Sequence, residues 1–244
     1  MGAIGPRVVE IDAAEDIPPL LAAAELGRHL PVLVVVGGAS GLNAYTIAIA
    51  RRIIEQVAMP AALDCGAAIV DGGTDSGVMR LLGLAHHSAR ASAPLVGVAV
   101  RRLVRVRDLP GTGTGEDSAD AEGHHTHLVL VPGEKWGDES PWLSAVAGHM
   151  SSGRTSVTLV VNGGSITLSD VQHSLSAGRA VVAAAGTGRA ADLLATAARG
   201  GASDSTDLAE QVRSAVASGL VSALDATLDA DLCRAELSRL LRSR

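Results

Sequence analysis

The sequence predicts an α/β protein: a Rossmann-like three-layer fold with a mostly parallel sheet, helices on both faces, and further helices at the C-terminal end. Three observations lead there. Short apolar runs recur without alternation, as in VLVVV (32–36), AAIV (67–70), VTLVV (157–161) and AVVAA (180–184), which is how strands buried on both faces read. Segments with helical spacing lie between them, so strand and helix alternate as βαβ units. Four of the strand ends run directly into glycine-rich turns that open a helix: VLVVVGGASGLN, AAIVDGGTDSGVM, SVTLVVNGGSITLSD and AVVAAAGTGRAAD.

The elements follow in order. A short strand is expected over 7–11, then a helix over 17–26 with Asp16 as N-cap and Pro18 and Pro19 in its first turn. Strand 32–36 leads to a helix over 42–58 that Pro60 closes. Strand 67–70 leads to helix 76–90, and strand 95–99 follows. Residues 108–123 (DLPGTGTGEDSADAEG) read as an exposed loop, either a lid over a site or a plain insertion. Strand 127–131, helix 138–150, strand 156–161, helix 168–177, strand 180–184 and helix 190–199 complete the alternation. In the tail, Leu208, Val212, Val216, Leu220, Leu224, Leu228, Leu232 and Leu237 recur at near-helical spacing, which predicts one or two helices. The organisation expected is a ligand-binding domain over 1–203 and a helical extension over 204–244.

Composition narrows the function. The chain has 244 residues, a formal net charge of −6, two Trp, one Tyr and no Phe. So few aromatics argue against binding single-stranded nucleic acid by base stacking. The charge balance lacks the basic footprint that a phosphate backbone requires; the local cluster Arg101, Arg102, Arg105 and Arg107 reads as a solvated edge. Cys65 and Cys233 have no metal-type spacing and form no disulfide framework, so a reducing compartment is expected. The first residues lack the pattern of a secretory signal, and no apolar run approaches the ~18 residues of a membrane span. These features predict a cytoplasmic protein without membrane insertion.

The glycine turns carry the candidate chemistry. Bare backbone after a strand lets amide groups approach an anion, and the following helix N-terminus favours negative charge. In the first turn Gly37, Gly38 and Gly41 clear the approach and Ser40 offers a hydroxyl to a phosphate, or caps the helix; the strict dinucleotide fingerprint is absent. In the second, Gly72 and Gly73 clear the approach, Thr74 and Ser76 offer hydroxyls, Asp75 would read ribose hydroxyls, and Gly77 stands in the first helical turn, where glycine is costly. In the third, Asn162, Gly163, Gly164 and Thr167 would face a phosphate or ribose, and Asp170 a sugar hydroxyl or the catalytic step; Thr167 and Asp170 also fit a helix cap. In the fourth, Gly186, Thr187 and Gly188 precede Arg189, a cation at a helix N-terminus, which is unfavourable unless an anion sits there.

His124, His125 and His127 invite a metal reading, with Asp138 and Glu139 to complete it, but no third ligand stands at a fixed spacing and no metal is expected. His125, His127, Lys135 and Trp136 are instead expected as ligand contacts. No cofactor is firmly implied beyond a nucleotide-derived ligand of the ADP-ribose or NAD kind. A homo-oligomer or a membrane-protein partner stays open.

Taken together, VVVGGASGL, VDGGTDSGVMRLLG, HTHLVLVPGEKWGDESPWL, VTLVVNGGSITLSDV and AAGTGRAADLLA resemble the SLOG superfamily, which includes the LOG (lysine-decarboxylase-like) phosphoribohydrolases. The resemblance is to its LSDAT branch, shared by the N-terminal region of TRPM channels and by bacterial proteins. It implies a Rossmannoid fold and the binding or sensing of a nucleotide-derived phosphate ligand. It also implies an alternative, hydrolysis of a nucleotide N-glycosidic bond. The LOG motif PGGxGTxxE is matched here by NGGSITLSD: Asn162 stands for Pro, Ile166 for a glycine and Asp170 for the catalytic Glu. The LOG Arg-Lys pair is matched only by Glu134 and Lys135. A nicotinamide-dependent reductase is disfavoured, because the sole Tyr45 lies in the first long helix.

Overall fold

A computed structural model describes residues 5–38, 41, 43–201 and 208–243. Ser40, expected as a phosphate donor or helix cap, lies outside them. The chain runs β1 (Arg7–Glu10), α1 (Ile17–Ala23), β2 (Val32–Gly37), α2 (Ala44–Arg52), α3 (Met59–Cys65), β3 (Ala68–Asp71), α4 (Gly77–Ser88), β4 (Leu95–Val100), β5 (Val104–Arg105), β6 (Ala119–Asp120) and β7 (His127–Val131). It continues α5 (Ser140–Ser151), β8 (Ser156–Val161), α6 (Ser165–Ser176), β9 (Ala180–Ala185), α7 (Arg189–Ala198), α8 (Ala209–Ala217), β10 (Val221–Asp225) and α9 (Ala230–Arg242). Among the described residues no helix is long and apolar enough to cross a membrane.

Eight strands form one parallel sheet in the order β1-β7-β4-β3-β2-β8-β9-β10. Alternate residues of each strand enter opposite cores, as the pleat requires. Val32, Val34 and Val36 pack with α1, α5, α6, α7 and α8, whereas Leu33 and Val35 pack with α2, α3, α4 and α9. This is the three-layer architecture the apolar runs predict. From β2 the chain winds outward through β3, β4 and β7; it then crosses back to β8 beside β2 and winds the other way through β9 and β10. Connections therefore diverge at the carboxyl ends of β2 and β8, which is where open α/β sheets leave a crevice.

Three local expectations are corrected, and a fourth is refined. Pro60 does not close the first long helix. Residues Ile53–Ala58 form a π-helical turn that joins α2 to α3, Pro60 falls in the first turn of α3, and Gly66 at φ +60° ends the run. The wider π turn accommodates a proline that has no N–H to donate. Helix α6 begins at Ser165, not at 168, so Thr167 is inside it and Gly164 is the N-cap. The tail is not wholly helical: β10 pairs in parallel with β9, from Val221 opposite Val181 to Asp225 opposite Ala185. Leu224 is buried there, whereas Leu220, Leu228 and Leu232 are exposed, so the four-residue spacing marked no single face. The loop over 108–123 is tied down through β5 pairing β6 and a bridge from Thr74 to Ala121.

Glycine sets the spacing between strand ends. Gly73, after β3, and Gly97, in β4, lie back to back: a Cβ on Gly97 would stand 2.5 Å from Gly73 Cα and 2.9 Å from Leu128 Cδ1. Neither backbone can yield, so Gly97→Ala is expected to destabilise the protein by roughly 1–3 kcal/mol in urea unfolding. Gly148→Ala, where a Cβ meets nothing within 4 Å inside α5, is the matched control and should be neutral or stabilising.

Candidate functional site

A cavity of about 480 Å³ opens at the carboxyl ends of the central strands. Its floor is Gly37 and Gly38, directly after β2. These two residues touch the third turn through backbone alone. A Cβ on Gly37 would overlap the Val161 carbonyl oxygen, and one on Gly38 would lie 3.1 Å from Gly163 Cα. The second turn contributes Gly72, Thr74 and Ser76, whose two hydroxyls are 3.1 Å apart.

Opposite them, α6 starts on the wall with Gly164, Ser165, Ile166 and Thr167. Thr167 turns its hydroxyl back to accept the Gly164 N–H at 3.4 Å. The fourth turn contributes Arg189 alone, which opens α7 at φ +51°. Its side chain lies across bare backbone: a Cβ on Gly41 would meet Arg189 Cδ at 2.7 Å, and one on Gly164 would meet Nη2 at 2.9 Å. The remaining wall is Met79, Asp117, Ala119, Trp136, Glu139, Leu143 and Asp170, with Val35 and Val36 beneath. Trp136 Nε1–H donates to Asp117 O at 3.2 Å, which holds the loop before β6 against the cavity rim.

Two carboxyl groups share this wall. Burial pushes Asp170 up to about 7; the Ser140 hydroxyl opposes that shift and the Glu139 carboxylate adds to it. Glu139 is also raised by burial, although its Oε2 accepts the Gly137 N–H at 2.9 Å. The cavity thus joins a cation and bare amides to two carboxyl groups that burial makes harder to ionise.

Of the residues singled out in the sequence, Gly37, Gly38, Gly72, Thr74, Gly164, Thr167, Asp170, Arg189 and Trp136 line one cavity. Others stand behind it. Gly73 packs on Gly97, and Gly77 begins α4 at φ +50°. Asp75 is paired with Arg80 at 2.6 Å. Asn162 donates its N–H to Thr187 Oγ1 at 2.9 Å, and Thr187 in turn donates to Ala184 O at 2.7 Å, so that hydroxyl is committed within the turn. Gly163, Gly186 and Gly188 take positive φ and shape the backbone. Lys135 lies in a turn whose amides at Glu134 and Lys135 are held by Asp138.

The two histidine contacts are corrected. His127 bonds Ala24 O at 3.0 Å near the opposite end of its strand. His125 is fully enclosed between Asp71 and Glu122. Among the described residues no group of His, Cys, Asp or Glu is arranged to hold a metal. Sequence reasoning missed Glu139, Met79 and Asp117 as wall residues. Glu139 carried a signal, an acidic residue just before a Ser-Pro helix start, but its neighbour on the same wall, Asp170, is 31 residues away.

A family model described as SLOG in TRPM, prokaryote, matches residues 30–233. No curated protein matches the chain.

The raised Asp170 gives a signed expectation. Its folded-state pKa of about 7 lies above the ordinary 3.8, so the folded protein binds more protons than the unfolded chain between those values. Stability from this group is complete below about pH 4 and is lost as pH rises through about 7. Asp170→Asn should therefore melt a few degrees above the parent at pH 8 and show no such advantage at pH 4, by calorimetry across that range.

Proposed function

The chain belongs to the SLOG family of the prokaryotic, TRPM-related kind, and from that premise we propose that its crevice binds and senses a nucleotide-derived phosphate ligand such as ADP-ribose or a relative. One observation carries the reading: three glycine turns, the first turn of α6 and the Arg189 side chain meet on a single cavity. Phosphate oxygens need donors at close range, and amides without side chains in the way supply them. The positive end of the 12-residue helix α6 adds to the attraction, and Arg189 supplies a full charge. Trp136 offers a face for a base, and Glu139 and Asp170 offer partners for ribose hydroxyls. At about 480 Å³ the cavity is of the size that takes small ligands.

A second reading rests on the carboxyl pair. Two buried carboxyl groups with raised pKa values on one wall suit an acid that protonates a departing base and a neighbour that steadies an oxocarbenium-like ribose. That would be hydrolysis of an N-glycosidic bond.

ADP-ribose at saturating concentration should raise the melting temperature by several degrees, since ligand at 100 times Kd stabilises by about 2.7 kcal/mol. Arg189→Ala should weaken binding ~10- to 100-fold, the loss of one charge-assisted hydrogen bond of ~1.5–3 kcal/mol. If no nucleotide shifts the melt, the binding reading fails. Binding should also weaken as pH rises through about 7, where Asp170 ionises beside the anion. For sensing without turnover, no free base appears on long incubation with NAD or a nucleoside monophosphate. Release of base that Asp170→Asn abolishes would establish the hydrolase reading instead.

A further inference from the structure

Behind the second glycine turn lies a buried ion cluster that touches none of the cavity. His125 has no exposed side-chain surface. Its Nε2 stands 2.7 Å from Asp71 Oδ1 and its Nδ1 stands 2.9 Å from Glu122 Oε2. Each ring nitrogen thus faces a carboxyl oxygen, an arrangement that an imidazolium satisfies by donating from both. The backbone of the turn is bonded to the same groups. Asp71 Oδ1 accepts the Gly73 N–H at 2.8 Å, the Glu122 N–H donates to Gly73 O at 2.9 Å, and Asp75 N–H donates to Asp120 O at 2.7 Å. Gly73 is thus gripped at both its N–H and its C=O, and its neighbours Gly72 and Thr74 line the cavity.

The surroundings make room for this cluster. Helix α4 carries glycine at 83, where a Cβ would overlap the Glu122 carboxylate. Glycine weakens a helix interior, so the vacancy has a structural reason. Further titratable groups surround the cluster. His124 bonds Glu122 Oε1 at 2.6 Å and meets His87 of α4 in a tilted ring contact, 4.5 Å between ring centres. Burial lowers His86 of α4, which also bonds Ala93 O, and Arg80 of α4 feels the Glu122 charge while paired to Asp75.

We propose that the Asp71–His125–Glu122 cluster is the positioning element of the ligand-binding turn, holding Gly72 and Thr74 in the geometry that receives the anion while touching no ligand itself. The proposal rests on the binding reading above only for its effect on affinity; its effect on the turn is independent of any ligand. Burial by itself would depress His125, but the Asp71 and Glu122 carboxylates reverse that and push it up to about 9, in accord with the two-donor geometry.

Hydrogen exchange by mass spectrometry, nitrogen NMR of the imidazole and ADP-ribose calorimetry test it on the whole chain. In the parent at pH 7.5, the His125 ring should show imidazolium shifts; a neutral ring overturns the proposal. His125→Gln leaves two buried carboxylates without their cation and risks unfolding. Gly83→Ala is the second variant, because alanine favours the helix while its methyl displaces Glu122. In whichever variant is folded, exchange at 72–76 should rise at least tenfold while 161–167 keeps its protection. Unchanged exchange at 72–76 overturns the proposal, and so does an equal rise at both segments, which marks a merely structural role. ADP-ribose affinity should fall at least tenfold in the same variant, and an unchanged affinity overturns the link between cluster and ligand. Should the parent bind no ADP-ribose, the binding reading fails, while the exchange and NMR arms still decide the positioning role.

Discussion

Close approach of one backbone to another is the constraint from which the rest of this structure follows. At the carboxyl ends of the central strands there is no room for a Cβ. Gly37 lies against the Val161 carbonyl, Gly38 against Gly163, and Gly73 against Gly97. The first two contacts draw the first and third turns together where strand order reverses, and the last sets the second turn against β4. A larger residue at any of them would spread the strands or fill the space. The crevice is a consequence of sheet packing as much as of any group that lines it.

Charge is arranged around that constraint in two separate ways. Within the crevice, Arg189 crosses the bare backbone of Gly41 and Gly164, while Glu139 and Asp170 line the wall with their pKa values raised by burial. Behind it, Asp71, His125 and Glu122 neutralise each other in part and are closed off from water. Burial would raise Glu122, but hydrogen bonds from His125 and His124 outweigh it and bring that carboxyl down to about 2. Buried carboxyl groups of one protein are therefore shifted in opposite directions, Asp170 and Glu139 up and Glu122 down. All are buried, so the nearest partners decide the direction.

Much of the fold was legible because its signals are local. An unbroken apolar run such as Val32 to Val36 states that both faces of a strand are covered, and the positions of β7 and β8 follow from the same rule. Helix boundaries were less legible where two signals competed. Pro60 reads as a terminator until a π turn absorbs it, and Thr167 with Asp170 reads as a cap until Gly164 proves to be one. The stretch around β10 failed for a different reason. An edge strand buries little: Leu224 is buried on one face, Val221 and Ala223 pack only partly buried on the other, and the exposed leucines around them imitate a helix.

The sequence by itself determined the alternation of strands and helices, the four glycine turns and the expectation that they serve one anion, because each depends on residues within a few positions of one another. Tertiary structure decided which of those residues share a surface. It set Glu139 beside Asp170 and Trp136 beside the mouth, turned Thr187 inward, and sealed His125 between carboxylates supplied by β3 and by the loop before β7. Those relations join residues up to 54 positions apart, as from Asp71 to His125. They exist only once parallel strands are stacked in a particular order, and nothing in the spacing of letters along a chain encodes that order directly.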